Sequence, residues 1–184
     1  EFIKKIKEYK DVPIGLLMYY NLVYQYGTEK FFRDFAAAGV NSVLIADLSI
    51  TDAQEIKPPA GNAGMDTVFM VTPNTSSSRM EEIASASTGF IYTVSVLGVT
   101  GSRSEVSTEI EKLVKRLKSM TDVPVCVGFG ISKPEHARTV ADAGADGVII
   151  GSKIVSMIEE NLSDTKQTKK SISSFISDVK AAIK

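Results

Sequence analysis

Pro124-Val125-Cys126-Val127-Gly128-Phe129-Gly130-Ile131-Ser132-Lys133-Pro134-Glu135 is the stretch on which the fold turns. An apolar run over Pro124 to Gly128 reads as a strand. A glycine turn follows, and Pro134 then opens a helix that the periodicity carries from Lys133 to Ala143. Glycine lets a backbone approach an anion closely, and the first N–H groups of a helix have no acceptor within it. The helix dipole adds partial positive charge at the same place. The same grammar recurs at Gly98-Val99-Thr100-Gly101-Ser102 and at Gly151-Ser152. Three such turns aim at one anion only if their strands run parallel with their C-terminal ends on one face, as in a parallel barrel.

Outward from these turns the chain alternates strand and helix. Strands are expected at Ile14 to Tyr20, Ser42 to Asp47, Thr67 to Val71, Gly89 to Val96, Pro124 to Gly128 and Gly147 to Gly151. Helices are expected at Thr28 to Ala38, Ser77 to Ala86, Ser104 to Ser119, Lys133 to Ala143, Ile154 to Asn161 and Lys170 to Ile183. Glu1 to Lys10 reads as the end of an amphipathic helix. The crossover in Thr51 to Ala63 carries two prolines and is expected to hold a poorly ordered or broken helix. Near-continuous apolar strands joined by helices imply a parallel sheet covered on both faces. The fold class is therefore α/β, a parallel (β/α) TIM barrel with six strand–helix units. No Gly/Ser-rich linker divides the chain, so residues 1–184 are read as a single domain. Closure takes eight strands. Residues before Glu1, a deliberate fragment or a second copy would account for the other two.

Composition excludes several classes. At 184 residues one domain with a sizeable core is possible, and a net charge of −1 offers no nucleic-acid surface and no attraction to an anionic membrane. No apolar run reaches the ~18 residues of a membrane span and no signal peptide is seen, which points to the cytoplasm. The one cysteine, Cys126, excludes an internal disulfide and reads as a buried small hydrophobe rather than a reactive thiol. No metal cluster is expected. His136, on the helix after Pro134, reads as a surface residue rather than a general base, and Phe31, Phe32 and Phe35 as core.

The segments Ile14 to Val23, Val43 to Asp47, Ser95 to Gly101, Gly128 to Glu135 and Gly151 to Val155, taken in order over essentially the whole length, closely resemble the tryptophan synthase α chain family. The resemblance implies a lyase of tryptophan biosynthesis that cleaves indole-3-glycerol phosphate to indole and glyceraldehyde 3-phosphate. The α chain carries no cofactor; PLP belongs to the β chain, its partner in an α–β complex. Carried over residue by residue, it implies phosphate donors at Gly101, Phe129, Gly130, Gly151 and Ser152, and a lid with Gly98 and Thr100. It implies an indole pocket with Leu17, Tyr19, Leu44, Phe129 and Ile149. Asn21 and Asp47 would face the partner, and Tyr92, at a strand end, would support the chemistry. The family's two acid/base carboxylates fall before Glu1, so the first two βα units and both catalytic groups lie outside this sequence, and the 184-residue segment alone is expected to be inactive. The family usually has proline where Ser49 stands here. Two alternatives stand beside this reading. One is another phosphate-binding barrel enzyme of indole or histidine biosynthesis, which would need a strand-end lysine or aspartate pair; no strand-end lysine is found. The other is an inert barrel fragment serving as an association module.

Overall fold

The computed structural model describes residues 1–94, 103–128 and 130–184, with the side chains of 103–107 left aside. The expected strand Ser95 to Val96 and the lid segment lie outside the described residues. The strands are β1 (Gly15–Met18), β2 (Ser42–Ile45), β3 (Asp66–Val71), β4 (Ile91–Val94), β5 (Val125–Gly128) and β6 (Gly147–Ile149). The helices are α1 (Phe2–Tyr9), α2 (Tyr20–Tyr26), α3 (Thr28–Ala37), α4 (Lys57–Asn62), α5 (Ser77–Ala86), α6 (Arg103–Lys118), α7 (Pro134–Asp142), α8 (Ser152–Glu159) and α9 (Thr165–Ala182). Strand order follows chain order, β1-β2-β3-β4-β5-β6. The pairings β1·β2, β2·β3 and β5·β6 are parallel. This is the (β/α) repeat of a TIM barrel, as the alternation of apolar runs and amphipathic stretches requires.

Chain contacts divide into two compact units, Glu1–Val71 with Ser76–Ile91, and Thr72–Thr75 with Tyr92–Lys184. In the first, α3 buries Phe31 and Phe32 completely. Phe31 stacks on Phe35 at 4.3 Å between ring centroids, and Tyr26 meets Phe35 edge-on at 5.7 Å. Phe31 and Phe32 are core residues, each worth roughly 1.5–3 kcal/mol of burial, whereas Phe35, expected in the core, is half-buried at its edge. Val43, Leu44 and Ile45 of β2 and Val68, Phe69 and Val71 of β3 complete that core. In the second unit α6 buries Ile110, Leu113, Val114 and Leu117 at the spacing of one helix face, over Val125 and Val127 of β5. The opposite face carries the lysines: Lys115 pairs with Glu111, and Lys118 reaches Asp146 at 2.7 Å.

The first strand is shorter than expected. It ends at Met18, and Tyr20 opens a helix. Aromatic residues favour strands, but here a tertiary contact decides. Asp47 Oδ1 accepts the N–H of Tyr20 at 2.7 Å, supplying the helix cap that Tyr19 does not. The crossover is broken as expected, into a 3₁₀ turn Asp52–Glu55 and α4. The prolines do not cut α4; Pro58 and Pro59 sit in its first turn, where their missing N–H groups cost nothing. Helices α8 and α9 begin earlier than the periodicity suggests, at Ser152 and Thr165. Asp164 Oδ1 caps α9 by accepting the Gln167 N–H at 2.9 Å, so the polar stretch before Lys170 is helical too.

Candidate active site

In the second unit, Tyr92 is the second residue of β4 rather than its last. Its ring leans across Gly128 at the C-terminal end of β5. A Cβ built on Gly128 would lie 2.5 Å from Tyr92 Cε2 and 2.6 Å from its phenolic oxygen. A side chain at 128 would therefore force the tyrosine ring to shift. Gly128 pairs in parallel register with Ile149 of β6, and Ile149 is half-buried. Burial pushes the Tyr92 phenol above its ordinary value, so near neutrality it is an uncharged O–H able to donate.

Beyond Gly128 the chain turns through Gly130, whose φ of +76° is open to glycine at little cost. His136, in the first turn of α7, reaches back over this turn. Its Nδ1 lies 3.3 Å from the Ser132 N–H and 3.2 Å from the Gly130 carbonyl oxygen. Gly151 caps α8 with a φ of −118°, and its carbonyl accepts the N–H of Ile154 at 2.9 Å. A Cβ on Gly151 would meet no heavy atom of the described residues within 4 Å. Neither its backbone conformation nor packing among the described residues requires glycine there. The space ahead of α8 is open, and Gly151 and Ser152 are both exposed to it. Gly98, Thr100, Gly101 and Phe129 lie outside the described residues.

In the first unit, Leu17 of β1 and Leu44 of β2 are register neighbours. Leu17 is 64% exposed, Tyr19 61% exposed and Leu44 buried. Asn21 is exposed on α2. Asp47 is committed to capping α2. The hydroxyl of Tyr20, the residue Asp47 caps, donates to Glu55 Oε2 at 2.7 Å, and that bond raises the tyrosine pKa. Tyr20 thus joins the loop after β2 to the 3₁₀ turn.

Sequence reading missed Tyr20, Glu55 and the back-reach of His136. The signal for the last was present in part: a polar side chain at the third helical position can reach back past the helix start, as in a capping box, although here it meets Ser132, one residue before the N-cap Lys133. Cys126 is half-buried rather than buried, because its neighbour in register is Gly147, which has no side chain to cover it. A Cβ on Gly147 would stand 2.9 Å from Sγ. Burial, then the charge of Asp146, pushes the thiol up, which leaves it protonated and unreactive. Among the described residues no three His, Cys, Asp or Glu side chains gather as a metal site would need, and no helix is long and apolar enough to cross a membrane.

The family model described as tryptophan synthase alpha chain matches residues 1–184. A tryptophan synthase alpha chain from Methanothermobacter thermautotrophicus is 44% identical over 182 residues, 99% of this chain and 67% of the relative. One from Methanoregula boonei is 41% identical over 98% of this chain and 68% of its own length. Among solved structures, a chain of the tryptophan synthase α2β2 complex of Pyrococcus furiosus superposes with a TM-score of 0.87 at 34% identity, covering 97% of this chain and 71% of that one. On this agreement of sequence and structure, the chain belongs to the tryptophan synthase alpha chain family.

Proposed function

We propose that this chain is the α-chain lyase of tryptophan biosynthesis, acting on indole-3-glycerol phosphate and handing indole to a β chain. Its residues supply the phosphate grip and part of the indole pocket. Cleavage needs a base to take the proton of the glycerol hydroxyl next to the ring and an acid to protonate indole C3. The carbon–carbon bond then breaks, the hydroxyl carbon becomes the aldehyde, and its bonding pair returns to the ring. Each acid–base contribution is worth about 10²–10⁴-fold. The resemblance puts both groups before Glu1.

What this segment does is hold the substrate. The N–H groups of Gly151 and Ser152 at the start of α8, with that of Gly130, face a dianionic phosphate, and the α8 dipole adds to them. Gly101 and Phe129 join them in the family pattern, and Gly98 and Thr100 belong to the lid that excludes water. The family resemblance assigns indole contacts to Leu17, Tyr19 and Leu44, and likewise to Phe129 and Ile149. Tyr92, a neutral phenol braced on Gly128, donates toward the reacting end. Asn21 and the Asp47 cap present α2 to the β chain. The chain itself uses no metal or cofactor in this reading and works in the cytoplasm; PLP chemistry belongs to the partner.

The observation that carries the proposal is Gly151, a glycine with negative φ and open space at its Cβ, at the head of a helix. Gly151→Asp in the full-length chain tests it. Aspartate is a good N-cap, so stability holds or rises. Its carboxylate would occupy the anion's place, and the KM for indole-3-glycerol phosphate is expected to rise at least tenfold, equivalent to about 1.4 kcal/mol of lost binding. An unchanged KM would remove Gly151 from the phosphate site.

A further inference from the structure

We infer that His136 is a positioning residue of the phosphate site, holding the Gly130 turn in its binding shape. The inference rests on the phosphate reading above. Residues 129–133 link β5 to α7, and Gly130 takes a positive φ of 76°, a backbone region that glycine enters at little cost and that its own side chain cannot help to fix. The N-cap of α7, Lys133, supplies no side-chain cap to the helix. Nothing on the helix's own cap therefore fixes the link. His136 does so from one turn further on: its backbone N–H donates to the Lys133 carbonyl at 3.1 Å, and its ring folds back over the link.

The ring holds the link in either tautomer. With a lone pair on Nδ1 it accepts the Ser132 N–H at 3.3 Å; with a proton there it donates to the Gly130 carbonyl at 3.2 Å. Both contacts lie on the α7 side of the Gly130 amide: one holds the carbonyl of Gly130 itself and the other the Ser132 N–H two residues on, so they fix the backbone from which that amide projects. Orienting that amide before substrate arrives removes an ordering cost from binding, so the effect falls on affinity and not on the bond-breaking step. A capping role alone would lower the stability of α7 and leave substrate affinity unchanged.

The test uses the full-length chain with its β chain. Steady-state kinetics with indole-3-glycerol phosphate and competitive inhibition by inorganic phosphate are measured for wild type, His136→Ala and His136→Asn. His136→Ala is expected to raise both KM and the phosphate inhibition constant about 5- to 10-fold, the size of one hydrogen bond to a backbone group, with kcat within about twofold. His136→Asn, whose amide oxygen replaces Nδ1 as acceptor, is expected to restore most of both. Unchanged KM and inhibition constant in His136→Ala, with or without a lower melting temperature, overturn the inference and leave the phosphate reading intact. A wild-type enzyme that inorganic phosphate does not inhibit overturns the phosphate reading itself, and the inference with it.

Discussion

The ring of Tyr92 occupies the volume that a side chain at Gly128 would need, with Cε2 placed 2.5 Å from the missing Cβ. Gly128→Ala therefore forces a strand-borne aromatic out of its seat. Overpacking of this kind costs about 1–3 kcal/mol. In a Tyr92→Ala background the same change is expected to cost little. Urea denaturation of the four members of this cycle checks the coupling; additive costs would show that the two residues do not compete for one space.

Thr93, the next residue of β4, is fully buried, and among the described residues its hydroxyl finds no hydrogen-bond partner. A buried polar group without a partner costs about 1–3 kcal/mol. Thr93→Val keeps the shape and removes the hydroxyl, so it is expected to raise the urea midpoint by the equivalent of about 1 kcal/mol without changing the slope. A lower midpoint would mean that the hydroxyl has a partner.

Asp146 ties three elements together at the N-terminal end of β6. Its Oδ2 accepts the Val125 N–H at 2.8 Å and its Oδ1 takes Lys118 Nζ at 2.7 Å. Burial works to raise its pKa but is outweighed by Lys118 and the Val125 N–H, and the net shift is downward. A depressed carboxylate contributes stability that is present above its unfolded value, about 3.9, and is lost as pH falls through the lower folded value. Thermal melts from pH 6 downward should therefore fall less steeply for Asp146→Asn than for wild type in that acid window. Parallel curves would assign acid sensitivity elsewhere. Asp34 and Glu111 are also depressed, by Lys30 and Lys115 respectively, but both pairs are solvent-facing and contribute little.

Six strands and their helices were legible because each carries its own period and its own stop. Phe31 and Phe32 announced the core of α3, while Phe35 at the same spacing stays half-buried, and Ser77 to Ala86 was bounded correctly by its flanking polar residues. What the chain hid were effects of residues distant in sequence. Tyr20 looks like a strand residue until Asp47, 27 positions later, caps it into a helix. Gly128 looks like a phosphate glycine until Tyr92 is seen filling the space beside it. Gly151 shows the opposite case: local sequence suggested an anion turn, and the open space around it gives no competing reason for glycine.

The Asp47–Tyr20 cap carries a prediction for assembly. Asp47→Ala removes the acceptor of the first α2 amide, at a cost of about 1 kcal/mol. If α2 faces the β chain, affinity for that partner should fall by about fivefold, and Asp47→Asn, which keeps an acceptor oxygen, should recover most of it. Calorimetric titration of the full-length α chain into β chain measures both. Loss of stability without loss of affinity would place α2 away from the interface.

The phosphate grip is the centre of this account, and amide resonances report on it directly. Inorganic phosphate and glycerol 3-phosphate are titrated into ¹⁵N-labelled full-length chain. The N–H signals of Gly130, Gly151 and Ser152 are expected to shift together along one saturation curve, with indole glycerol phosphate competing for the same site. Amides at these three positions that stay still while others saturate, or that titrate with unrelated affinities, would contradict the account.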